Sequence, residues 1–167
     1  MPNLLACLVL AAPAVASSDA PTVTPQRAPL DGLQPRAAVD SSGAVHVVVF
    51  RGPLERGDLH YVRSNDGAKS FGEALRITTD ESRTRASSPA SCAQLTLGRG
   101  GRVHVAWNGL PGADAPAAMY YTRLDEQGSA FEPPRNVIGE HHGIQGGGAV
   151  AADGEGRVWV AWHAPAK

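Results

Sequence analysis

The sequence predicts an all-β chain assembled from repeats of one four-stranded antiparallel unit. Three observations carry this. Val-rich runs such as Val45–Phe50 and Val103–Trp107 are broken by Gly, Pro or Asp about every 8–12 residues, which favours strands and disfavours helices. The chain can be laid over itself, with Gly43, Gly101 and Gly156 each opening the same kind of apolar run at a period of 55–58 residues. Between two β-like runs stands Asp66-Gly67, a strong hairpin-turn signal. A β-sandwich is the plainer alternative to a repeat array.

The chain begins with an apolar segment, Leu4 to Ala12, followed by Ala14-Val15-Ala16. It is too short to anchor in a bilayer and ends in an A-x-A pattern. Residues 1–16 are therefore expected to be a signal peptide cleaved near Ala16/Ser17, giving a secreted or periplasmic protein. Leu4-Leu5-Ala6-Cys7 has the form of a lipoprotein box, but no apolar core precedes it. Residues 17–34 are rich in Pro, Ser, Ala and Thr without periodicity and read as a linker or extended strap.

Net charge is −1 over 167 residues. That balance gives no basic excess for nucleic acid and no polybasic run for a membrane surface. Past the leader only Cys92 remains of two cysteines, so no intrachain disulfide is expected and its role is that of a small buried hydrophobe.

From residue 35 the units follow in order. The first (35–79) is predicted to hold strands at 35–40, 44–50, 58–63 and 71–78. The second (92–138) has strands at 92–97, 102–108, 118–123 and 131–138. The third (147–163) supplies only two, at 147–152 and 157–162. Unbroken apolar runs such as Val45–Phe50 suit strands covered on both faces. Two and a half units should leave an apolar face open at each end.

The most specific stretch is Ser64-Asn65-Asp66-Gly67-Ala68-Lys69-Ser70-Phe71, after Leu59-His60-Tyr61-Val62-Arg63. Asp66 is placed to accept turn amides, Ser64 and Ser70 to close the loop, and Phe71 to anchor it. Burying Phe contributes roughly 1.5–3 kcal/mol against ~1 kcal/mol for a turn hydrogen bond. The stretch has an echo. Met119-Tyr120-Tyr121-Thr122-Arg123 leads into Leu124 to Phe131, with Gly128 and Phe131 in register, Leu124 replacing the Ser and Glu126 replacing the Asp.

These residues resemble the Asp-box, S-x-D-x-G-x-[ST]-[FW], of BNR-repeat β-propellers in the sialidase (neuraminidase) superfamily. Ser64, Asp66, Ser70 and Phe71 match, while Ala68 stands where the family has glycine. A left-handed backbone there costs an alanine on the order of 1 kcal/mol. The resemblance implies β-propeller blades of four antiparallel strands in an incomplete ring, with a scaffold role for the boxes. It also implies a ligand face at the opposite end, and remaining blades or other copies to close the ring.

On that opposite face the sequence offers Arg36, Arg51, Glu55, Arg56, Asp80, Glu81, Arg83, Arg85, Ser87, Asn108, Asp114, Glu140, His141, His142 and Gln145. Of these, Arg36, Arg51, Arg83, Arg85, Asn108, His141 and His142 are the candidate ligand residues. Guanidinium groups suit a glycan or carboxylated sugar. Adjacent His141-His142 lack metal-ligand spacing, so no metal or cofactor is expected. His46 and His104 fall where the third unit has Trp159 and read as packing residues. A catalytic sialidase implies an Arg-Ile-Pro motif on the first strand. Here Leu33-Gln34-Pro35 places Leu33 at the arginine, and Arg36, one residue out of register, should point to the other face. No Tyr–Glu pair can be assigned. No catalytic residue is therefore named, and a glycan-binding propeller, an exo-sialidase completed elsewhere and a protein-interaction scaffold stay open. The stop in mid-unit is expected to mark an N-terminal fragment.

Overall fold

The computed structural model describes residues 22–87, 93–112, 115–139, 144 and 146–164. The leader with Cys7, the Ala16/Ser17 junction, Cys92, Asp114, Glu140, His141, His142 and Gln145 lie outside these residues.

The chain is all-β and antiparallel. Strands β1 (Leu33–Val39), β2 (Val45–Arg51), β3 (Asp58–Ser64) and β4 (Leu75–Arg76) form sheet one in that spatial order. Strands β5 (Gln94–Leu97), β6 (Val103–Gly109), β7 (Ala118–Arg123) and β8 (Arg135–Asn136) form sheet two in the same way. A hairpin of β9 (Gly148–Ala152) and β10 (Val158–Trp162) is the third unit. The sheets are open. Among the described residues no helix is long and apolar enough to cross a membrane.

Two expected spans are corrected. The fourth strands are two residues long, pairing His60 with Arg76 and Tyr61 with Leu75, then Tyr120 with Asn136 and Tyr121 with Arg135. Pro133-Pro134 interrupts the second ladder by its missing donors. In the first, Gly72 still donates to the Arg63 carbonyl (2.9 Å), and the ladder lapses only between it and Leu75. The first strand also starts at Leu33 rather than residue 35.

Register explains the core. Val48 pairs with Tyr61 and Phe50 with Leu59, which puts all four on one face of sheet one. Trp107 pairs with Tyr120 on the facing side of sheet two, beside Val103 and Val105. Together they form the main core, and sheet two's far face (Ala106, Met119) meets Val150, Val160 and Trp162. The first strands of the three units are neighbours, β1 beside β5 and β5 beside β9.

The ends of the stack differ. Sheet one's outer face (Val47, Val49, Val62) is covered by Ala28, Leu30 and Phe71, so the expectation of an open face at each end fails here. The segment read as a linker packs at residues 28–32. Gly32 is required because a Cβ there would lie 2.4 Å from that of Val49. At the other end Ala149, Ala151, Trp159 and Ala161 face solvent, with Trp159 51% exposed.

The turn at 64–71 is closed by its aspartate. Asp66 accepts from the Ser64 hydroxyl (2.7 Å), the Ser70 amide (3.0 Å) and the Ser70 hydroxyl (2.5 Å). These bonds, the Ser70 hydroxyl foremost, hold its carboxyl well below the usual carboxylate range. Phe71 is only half-buried. Ala68 has φ 66°, so Ala68→Gly is expected to gain about 1 kcal/mol in urea unfolding by relieving the left-handed Cβ clash.

The echo turn needs a correction. Its capping residue is Asp125, not Glu126. Asp125 accepts from the Ser129 amide (2.7 Å), the Ser129 hydroxyl (2.8 Å) and the Ala130 amide (3.1 Å). The Asp-to-Ser spacing of four is kept (66 to 70, 125 to 129), but the pair is shifted one residue earlier relative to Gly128 (φ 71°) and Phe131. The aspartate's job thus survives in both turns. Asp125→Ala is expected to cost ~1 kcal/mol and Glu126→Ala almost nothing, measured by urea denaturation.

Candidate functional site

The strands' alternation gives the molecule two chemically distinct ends. The end away from the capped turns is made by loop 52–57, which is stitched to segment 79–86. Gly57 and Thr84 exchange backbone bonds of 2.8 and 3.1 Å. Trp107 Nε1 donates to the Ser82 carbonyl (2.7 Å), and the Tyr120 hydroxyl to that of Glu81 (3.0 Å). Arg56 donates to the carbonyls of Leu110 and Asp80 (3.0 and 2.6 Å). Segment 79–86 is therefore a spacer fixed between the two sheets.

The candidate ligand residues at this end separate into two groups. Arg83 is not a solvated loop arginine. It lies 3.0 Å from Asp80 and 3.4 Å from Asp58, and Arg76 bonds both carboxylates at 2.8 Å. Burial pushes Asp58 up, but bonds from Thr78 and Arg76 outweigh it and leave its carboxyl below the usual range. Asp80 is lowered by Arg76 and then Arg83. Asn108 donates to the Gly146 carbonyl, and its backbone carbonyl takes the Thr84 hydroxyl (2.6 Å). Both residues are committed to structure.

Arg36, Arg51 and Arg85 form the second group. Arg36 is corrected in orientation. Leu33 pairs with Phe50 and Arg36 with Val48, so a bulge at Gln34 (φ 50°) fits three steps of β1 against two of β2. Arg36 therefore shares Leu33's face instead of opposing it. Among the described residues its guanidinium bonds only its neighbour's carbonyl, that of Pro35, at 3.4 Å. Arg51 and Arg85 are exposed and form no ion pair among the described residues. Arg51 lines a small cavity of about 320 Å³ with Leu30, Leu33 and Gly52. Arg51 ends β2 and Arg85 lies on the segment beside that end, whereas Arg36 pairs with Val48 midway along the strands.

A groove of about 1000 Å³ lies instead at the capped-turn end. Arg63, Arg99, Arg102 and Arg123 line it together with Asp40, Glu73 and two buried histidines, His46 and His104. His46 Nδ1 is 2.7 Å from the Tyr61 hydroxyl and its Nε2 is 3.2 Å from Asp40 Oδ2. Asp40 also accepts from Ser42 and Ala44 in its own turn, and these bonds with His46 hold its carboxyl far below the usual range. His104 repeats the pairing with the Tyr121 hydroxyl at 2.8 Å. Sequence reasoning took both histidines for packing and missed the Asp40–His46–Tyr61 chain. The signal was present: His46 and His104 are each opposed by a Tyr-x-Arg strand.

The chain matches no family model and no curated protein.

Proposed function

We propose that the chain is part of an exported BNR/Asp-box β-propeller of the sialidase type, and that it binds carboxylated glycans without cleaving them. The propeller reading is supported by the neighbouring first strands and by the stacking of each unit on the next in one sense. On that reading the Trp159 face takes a further blade, supplied by more of the protein or by another copy.

One observation carries the binding site. Arg51 and Arg85, at the end where Arg76 and Arg83 pair with Asp58 and Asp80, and Arg36, midway along β1, keep guanidinium groups that no carboxylate occupies among the described residues. A free guanidinium fork matches a sugar carboxylate in charge and shape. Hydrolysis has less support. It needs an acid whose pKa is raised toward neutrality, whereas Asp58 and Asp80 are both lowered.

A glycan array tests the reading, with uronate- and sialate-terminated glycans expected to be retained. Arg36→Ala should weaken retention about tenfold, the loss of one charge-assisted contact. A fluorogenic sialoside should stay intact. Turnover of that sialoside would replace the binding role with a catalytic one, and retention of neutral glycans alone would remove the arginines from the site.

A further inference from the structure

The repeat exposes a missing partner. Asp40, Gly98 and Asp153 occupy the same place in their turns. Each donates its amide to the carbonyl four residues on (3.0, 2.8 and 3.1 Å) and accepts from a glycine three residues on (Gly43, Gly101, Gly156). His46 and His104 are likewise equivalent, six residues after that position. In unit one the carboxylate of Asp40 can only accept, so His46 must donate from Nε2, and Nδ1 takes the Tyr61 hydroxyl proton. In unit two the ring makes the same tyrosine contact, through Nδ1 to Tyr121 at 2.8 Å. Its ring also stacks on Tyr121 as His46 does on Tyr61, at centroid distances of 6.0 and 5.9 Å. But Gly98 stands where the aspartate would be, and His104 Nε2 has no hydrogen-bond partner among the described residues.

Position 98 cannot be refilled from within. A Cβ there would sit 2.6 Å from His104 Nε2 and 3.2 Å from the Ala152 side chain. His104 is 4% exposed and lines the large groove at the capped-turn end. Arginines and carboxylates are matched along the groove, Arg63, Arg99, Arg102 and Arg123 facing Asp40, Glu73, Asp125 and Glu126, and all of these arginines but Arg99 are engaged in ion pairs. Arg102 and Arg123 both reach the same oxygen of Glu132, at 2.9 and 2.8 Å. Arg99, on the turn beside Gly98, is exposed and makes no ion pair among the described residues.

We infer that this groove holds a second ligand site, in which a carboxylate from outside the chain takes the place of the absent aspartate, accepting from His104 Nε2 and pairing with Arg99. The site is separate from the one proposed above and lies at the opposite end of the sheets. Neutrality of the ring fits the role: burial, then Arg102 and Arg123, push His104 down to about 4, so at neutral pH it offers one N–H.

The test uses imidazole ¹⁵N–¹H NMR of the whole chain with D-glucuronate as probe, D-glucose as the neutral control and ionic strength held constant with sodium chloride. Glucuronate should shift the His104 Nε2–H resonance saturably in the millimolar range, and glucose should not. Arg99→Gln should weaken the effect about tenfold through loss of a charged contact. Lys69→Gln removes an exposed charge at the same end but outside the groove, and should leave the shift unchanged. His104→Phe should remove from the calorimetric titration the same binding component that Arg99→Gln weakens, and leave any uronate binding at the opposite end of the sheets. Should that variant not fold, Arg99→Gln on its exposed turn still decides. No saturable shift, an equal shift with glucose, or an unaltered titration in Arg99→Gln overturns the site.

Discussion

Trp107→Ala should destabilise the chain by about 3–5 kcal/mol. Trp107 is 1% exposed and stands between the sheets. Its ring stacks on Tyr120 at 5.7 Å, and its Nε1 caps the Ser82 carbonyl at 2.7 Å. Truncation opens a large cavity and also orphans a buried acceptor. Trp107→Phe separates the two effects, because it fills most of the volume but leaves Ser82 unpaired. That variant should cost about 1–3 kcal/mol, the penalty for an unsatisfied buried group. Trp159→Ala is the internal control. Trp159 is half exposed on an open strand face, so its loss should stay within about 0.5 kcal/mol. Urea midpoints at unchanged slope would establish the order. Equal costs for Trp107 and Trp159 would mean that the two sheets do not share one core.

That contrast also shows what the sequence could reveal. Gly43, Gly101 and Gly156 announced the repeat, and the strands that follow them pair with the strands before them in matching registers, Val45 with Val39, Val103 with Leu97 and Val158 with Ala152. Alternation along a strand is a local property, so it survives in the sequence. The misplaced features depend on backbone departures that side-chain type does not encode. Gln34 takes φ 50° with no glycine to advertise it, and the resulting bulge turns Arg36 to the face of Leu33. In the echo turn, fidelity to the glycine and phenylalanine positions pointed to Glu126. The chemistry instead followed the four-residue spacing from Asp125 to Ser129. Arg83 stands among the candidate ligand residues because Asp58, Arg76 and Asp80 meet it only through tertiary structure. Its identity was visible in the sequence, but its partners were not.

The packing role read for the histidines holds, since both are buried and stacked on tyrosines, and one of them sets the pH response. His104 is buried among cations. Burial is the main cause of its fall to about 4, Arg102 and Arg123 add to it, and Glu132 only partly offsets them. The folded value lies below the unfolded value of 6.5. Between those two values the unfolded chain binds a proton that the native chain refuses, so stability falls as pH falls. The slope approaches about 1.4 kcal/mol per pH unit, and across the whole window the loss is roughly 3 kcal/mol. Above pH 6.5 the group is neutral in both states and contributes no slope. His60 is lowered too, chiefly by burial, and acts in the same sense. The turn aspartates, Asp40, Asp66 and Asp125, are lowered from 3.8, so they lose their contribution only at more acid pH. The two classes should therefore separate in a urea-midpoint profile from pH 7.5 to 3. His104→Gln should flatten the segment between pH 6.5 and 4 while leaving the acid limb in place. A profile that keeps its full slope in that variant would mean that another group carries the transition.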